Sequence, residues 1–68
     1  MSLFDYQQSK IIAAQDYPFY ALLMAAIRQA DTDNLIRLDA KWPDVVREFR
    51  ARYRAPGGIL PLDREQLP

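Results

Sequence analysis

The sequence predicts an all-α fold: a small bundle of three to four short helices with an extended C-terminal tail, completed by homo-oligomerisation. Apolar residues recur at helical spacing, and proline or short polar residues stand where helices would begin or end. The run from Tyr17 to Ile27 carries no charge. Because a chain of 68 residues buries only a limited part of its apolar surface, some of this run is expected to stay uncovered in a single chain. Because cysteine and histidine are both absent, disulfides and ordinary zinc sites cannot add stability, which leaves oligomerisation or very good helix packing.

The first helix is predicted from its N-terminal residues. Ser2 followed by Asp5 is a typical helix start, because a serine hydroxyl accepts a hydrogen bond from a free N–H of the first turn. The apolar periodicity that follows is loose. Its members near one face are Phe4, Ile11, Ile12 and Gln15.

A second helix is predicted from about Pro18 to Ala30, since proline is favoured at the first helical position. Its core face is predicted to hold Phe19, Tyr20, Leu23, Ala26, Ile27 and Ala30. The opposite face has alanines four residues apart in place of charges, which would let another backbone approach closely. We therefore predict a subunit interface formed by Ala21, Leu22, Met24 and Ala25; the alternative is a solvent face with few charges.

Two further helices are predicted after residue 30. Asp31 and its neighbours Thr32 and Asp33 are typical capping residues, and the sequence lacks the later glycine and glutamate of a calcium loop. Pro43 then interrupts one apolar stripe, so we predict a helix to about Ala40 and another from Pro43 to Arg54, with a single bent helix as the alternative. The stripe consists of Leu35, Leu38, Trp42, Val45, Val46, Phe49 and Tyr53.

Gly57 and Gly58 are predicted to end the last helix, because glycine readily adopts the left-handed conformation found just past a helix. Residues 1–58 would then form one helical domain. The tail, residues 59–68, contains prolines that argue against helix and central strand. We expect it to be extended or disordered, with disorder after about Leu62.

The residue content argues against an enzyme. Without histidine or cysteine no Ser–His or Cys–His pair can form, and the candidate hydroxyls and carboxylates stand near helix ends or in turns, where capping explains them. The paired glycines lack the lysine and helix of a phosphate loop. We therefore predict no catalytic residue, no metal and no cofactor.

Two features bear on location. The amino terminus, MSLFDYQQSK, has neither a basic leader nor an apolar run, and the uncharged stretch is shorter than the ~20 residues of a membrane-spanning helix. We expect a cytoplasmic protein that does not enter the membrane.

The arginines favour anion binding. Arg47, Arg50 and Arg54 are predicted on the solvent side of the last helix, where solvation and pairing with nearby acids explain them. Arg52 is predicted at the edge of the apolar stripe beside Phe49, with Glu48 one turn back as a candidate partner. A guanidinium bordered by aromatic rings is suited to hold a phosphate and stack on a base.

The segments PFYALLMAAIRQADTDN, RLDAKWP and ARYRAPGGILP resemble a family of small helical proteins of unknown activity that bacteriophages and prophages encode. The resemblance spans Asp16 to Pro61, with Trp42 at a position where the family pattern has phenylalanine. It implies a phage protein acting in the host cytoplasm. The residues that the pattern emphasises are Tyr20, Arg28, Asp31, Asn34, Pro43, Arg52, Tyr53, Gly57 and Gly58.

Together these features predict a homo-oligomer that sequesters a nucleotide-derived immune signal of the host. In this hypothesis Arg28 and Arg52 bind phosphates, Asn34 contacts a base or ribose edge, and a ring stacks on the base. The candidate stacking residues are Tyr20, Trp42 and Tyr53. The alternative is a module that binds a host or phage protein. Nucleic-acid binding ranks third, because the formal net charge is zero.

Overall fold

The computed structural model describes residues 1–66, which fold into five α-helices and no strand. The all-α prediction is therefore confirmed for this part of the chain. Leu67 and Pro68, the last residues of the predicted tail, lie outside the described residues. The helices are α1 (Leu3–Ala13), α2 (Phe19–Gln29), α3 (Thr32–Lys41), α4 (Pro43–Arg54) and α5 (Pro61–Arg64), with a 3-10 turn at Pro56–Gly58.

Helix α1 begins as predicted. The Ser2 hydroxyl accepts a hydrogen bond from the Asp5 backbone N–H at 3.1 Å, which satisfies one of the free donors of the first turn. None of its residues is buried by the described part of the chain. Phe4, Ile11 and Ile12 are therefore exposed, and α1 buries none of its apolar residues against the other described helices.

The core lies where α2, α3 and α4 meet. Its buried residues within 1–66 are Ile27, Val45 and Val46, of which Val46 is fully buried. Partly buried residues surround them: Leu23, Met24, Leu35, Leu38, Trp42 and Phe49. The apolar stripe of the last two helices is thus confirmed over most of its length, although Tyr53 at its end is exposed.

The predicted core face of α2 is wrong in part. Phe19 and Tyr20 are 59% and 56% exposed, and Ala26 is also exposed, whereas Met24, predicted to face outward, packs against the core. The reason is that the buried contacts of α2 centre on Ile27, in its C-terminal half. The first turn of α2 therefore extends past the core.

The helical conformation is interrupted at Trp42, between α3 and α4. Trp42 has φ −132° and ψ 54°, so it is not helical, and its N–H donates to the Leu38 carbonyl at 2.7 Å. Pro43 then occupies the first position of α4, where its missing N–H costs nothing. The alternative of a single bent helix is wrong.

The prediction of an extended tail is wrong at residues 61–64, which form the single helical turn α5. Pro61 starts this turn, because a proline that would break a helix interior is favoured at the first position. The Asp63 carboxylate accepts a hydrogen bond from the Leu60 N–H at 2.8 Å. Before this turn, Gly57 and Gly58 adopt φ values of 65° and 70°, the left-handed region predicted for them.

Replacing Asp31 by alanine should lower the free energy of unfolding by about 1 kcal/mol, the usual loss for an N-cap. The Asp31 carboxylate accepts from the Asn34 N–H at 2.9 Å and so caps α3. Urea unfolding followed by circular dichroism measures the change. Asp33→Ala is the matched control, because it removes a charge from the same helical turn without removing the cap; an equal loss in both variants would contradict the capping role.

Candidate functional site

A groove lies between α2, α4 and the glycine turn. Its volume is about 600 Å³, within the range of small-molecule sites. It brings together three residues of the predicted ligand site and three of the predicted subunit interface. The lining residues are Ala21, Met24, Ala25, Arg28, Phe49, Arg52, Tyr53, Ala55, Gly57 and Gly58.

Arg28 is held over aromatic rings at the wall of the groove. Its guanidinium carbon lies 5.2 Å from the centre of the Phe49 ring and 5.7 Å from that of Tyr53. The two rings are themselves 6.0 Å apart. Within residues 1–66 Arg28 forms no ion pair. Cation–π contacts therefore favour this position of Arg28, while its charge is free to meet an anion.

Arg52 is already bound within the chain. Its Nε donates to Glu48 at 3.1 Å, as predicted, but its Nη1 donates to the Gly58 carbonyl at 2.8 Å and to Asp63 at 2.6 Å. Its Nη2 donates to the second Asp63 oxygen at 3.1 Å. The bidentate pair with Asp63 ties α5 to α4, and the bond to the Gly58 carbonyl ties the glycine turn to the same helix. The geometry does not support the predicted role of Arg52 as a phosphate ligand, because its N–H groups already donate to Glu48, Gly58 and Asp63.

The Arg52 guanidinium lowers the pKa of the Asp63 carboxyl from 3.8 to about 2, and the Leu60 N–H adds to the shift. A carboxyl whose pKa is lower in the folded state stabilises the fold above its unfolded pKa and loses that contribution as pH falls through the folded pKa. The contact between α4 and α5 should therefore persist at neutral pH and weaken between about pH 4 and pH 2.

Replacing Asp63 by asparagine should release the C-terminal turn at neutral pH, because the amide cannot form the bidentate ion pair with Arg52. Amide hydrogen exchange should then rise at residues 58–66 while α2 and α3 keep their protection. Asp39→Asn, which removes a charge from an exposed position on α3, is the matched control. Unchanged exchange in residues 58–66 would show that the Arg52–Asp63 pair does not hold the tail.

The other predicted ligand residues lie outside this groove. Tyr20 packs with Phe19 and Trp42, with ring centres 5.3 to 6.5 Å apart, and lines a separate hollow of about 320 Å³. Asn34 and Trp42 line a third hollow of about 450 Å³ on the α2–α3 side. Within one described chain, the six predicted residues therefore line three separate hollows, and the groove contains Arg28, Arg52 and Tyr53.

Two features of the site escaped sequence reasoning. Asp63, the partner of Arg52, lies in a segment predicted to be extended; a proline followed two residues later by aspartate is a helix-start signal that could have indicated α5. Arg50 and Arg54 line a hollow beside Arg28, although solvation and pairing with nearby acids were expected for them. Their signal was the spacing of four residues, which places both on one side of α4.

No protein-family model, curated protein or solved structure matches the chain. The stretch from residue 1 to residue 66 has no helix with the length and hydropathy needed to cross a membrane. The same stretch has no cluster of three or more potential metal-binding side chains.

Proposed function

We propose that the protein is a non-enzymatic homo-oligomer that binds a phosphate-bearing, nucleotide-derived small molecule in the groove between α2 and α4. The proposal rests on the position and the unpaired charge of Arg28. Its guanidinium lies over two aromatic rings at the groove wall and has no acidic partner within the described residues. A guanidinium donates to phosphate in a fork of N–H groups, and a tyrosine ring stacks on a base. Arg28 and Tyr53 supply both contacts.

The proposed biological role is sequestration of a host immune signal by a phage protein in the host cytoplasm. The resemblance of residues 16–61 to small phage-encoded proteins supports the setting. The chemistry of the groove supports binding rather than turnover, because its polar side chains are two arginines and a tyrosine, of which Arg52 is engaged by Glu48 and Asp63. Such a set can hold an anion and stack on a ring, and it offers no nucleophile with a neighbouring base.

Self-association is supported by the amount of apolar surface left uncovered. An isolated helix shorter than about 12 residues is marginal in water, so the 11-residue α1 needs a partner for its exposed apolar side. Ala21 and Ala25 are exposed on α2 in the wall of the groove and suit a close helix contact. In such an oligomer Tyr20, Asn34 or Trp42 of a second copy would complete a groove that one chain leaves open.

The direct test is isothermal titration calorimetry of the purified protein with cyclic oligonucleotides and ADP-ribose derivatives. We expect heat of binding with at least one phosphate-bearing compound and none with adenosine, which has a base and ribose but no phosphate. Absence of binding across the panel would refute the proposal.

A protein-interaction module is the second candidate, and the exposed apolar side of α1 favours it. Arg28→Gln distinguishes the two better than a change at Arg52, because removing Arg52 would also release α5. A ligand-binding protein should keep its oligomeric state and lose the small molecule when Arg28 is replaced. An interaction module would bind no small molecule in the first place.

A further inference from the structure

A second hollow adjoins the groove at Arg28. It has a volume of about 440 Å³, and its walls are Ile27, Arg28, Phe49, Arg50, Tyr53 and Arg54. Arg50 and Arg54 are four residues apart on α4, as are Phe49 and Tyr53, so each pair lies along one side of the helix. The hollow thus shares Arg28 and both aromatic rings with the groove and adds two guanidinium groups.

The charge in this hollow is unbalanced. Within residues 1–66, Arg28, Arg50 and Arg54 form no ion pair, whereas the acids Glu48 and Asp63 are both engaged by Arg52. Like charges at a spacing of four residues on a helix repel each other. A bound anion would relieve that repulsion and receive charge-assisted hydrogen bonds from more than one guanidinium.

We propose that Arg50 and Arg54, together with Arg28, form a second phosphate subsite, so that the ligand carries at least two phosphate groups and an aromatic base. This inference rests on the proposed function and specifies its ligand class. Arg28 lines both the groove and the hollow, so it contacts the ligand between its two phosphates. The rings of Phe49 and Tyr53 form the shared wall on which the base stacks.

The surroundings favour a small ligand over a nucleic-acid strand. The next hollow along α4, which Arg47 lines together with Arg50 and Arg54, also has Asp39 in its wall. An acidic residue there interrupts the basic surface that a strand would follow. The chain as a whole has no net charge to attract a polyanion.

The test compares ligands with one and two phosphates. Wild type and the double variant Arg50→Gln/Arg54→Gln are titrated calorimetrically with ADP-ribose and cyclic diadenylate, which carry two phosphates each, and with AMP, which carries one. The matched control is Arg47→Gln/Arg64→Gln, which removes the same charge from positions outside the hollow. Circular dichroism and native mass spectrometry verify fold and assembly.

We expect the double variant to lose about tenfold or more in affinity for the two-phosphate ligand that wild type binds, the equivalent of one charge-assisted hydrogen bond. Its affinity for AMP should change far less, and the control should behave as wild type. Unchanged two-phosphate binding in the double variant, or an equal loss in the control, would overturn the subsite. If Arg28→Gln then still weakened binding, the proposed function would stand without the second subsite; no binding by wild type would refute both.

Discussion

Replacing Val46 by alanine is expected to lower the free energy of unfolding by about 2 kcal/mol, from two lost methyl groups at about 0.8 kcal/mol each plus a cavity term. Val46 is 0% exposed and belongs to the buried core together with Ile27 and Val45. A small domain has roughly 3–5 kcal/mol of stability from its core, so this single change removes a large fraction of it.

Urea unfolding at a fixed protein concentration measures the Val46 effect, since the apparent stability of an oligomer depends on concentration. Ile36→Ala is the matched control, because Ile36 is an aliphatic residue that is exposed on α3. It should change stability by less than about 0.5 kcal/mol. Equal losses in the two variants would show that the contacts around Val46 do not form the core.

Replacing Arg28 by glutamine should weaken binding of a phosphate-bearing ligand by about tenfold to a hundredfold, the range of a charge-assisted hydrogen bond to phosphate. Glutamine keeps a polar side chain of similar length and removes the charge and the fork of donors. Because Arg28 is exposed and forms no ion pair within the described chain, fold and assembly should be retained. Calorimetric titration with ADP-ribose and cyclic diadenylate measures the change.

Arg47→Gln is the control for the Arg28 variant, since it removes one positive charge from a surface outside the groove. It should leave affinity within about twofold of wild type. A loss as large as that of Arg28→Gln would mean that general electrostatic attraction, and not the groove, accounts for binding. No loss in either variant would remove Arg28 from the site.

The starts of α1, α3 and α4 could be predicted because their causes are local. Ser2 with Asp5, Asp31 with Asn34, and Pro43 each act within one turn, and each starts a helix as expected. The burial of α2 could not be predicted, because it depends on where α4 crosses. That packing partly buries Met24 and leaves Phe19 exposed.

In the site, too, contacts between residues close in the sequence could be predicted, whereas contacts between distant residues could not. Glu48 could be named as a partner of Arg52, because residues four apart on a helix are neighbours. Asp63 could not, because it reaches Arg52 only after the glycine turn and α5 fold the chain back. Arg28 and Tyr53 meet through the packing of α2 on α4, which periodicity favours but does not fix.

Native mass spectrometry of the intact protein, after incubation with cyclic diadenylate and ADP-ribose, tests the central claim most directly. It reports the number of chains and the mass of any retained ligand in one spectrum. We predict an assembly of two or more chains that retains at least one of these phosphate-bearing molecules, and the same assembly without the ligand for Arg28→Gln. A single chain with no added mass would contradict the account.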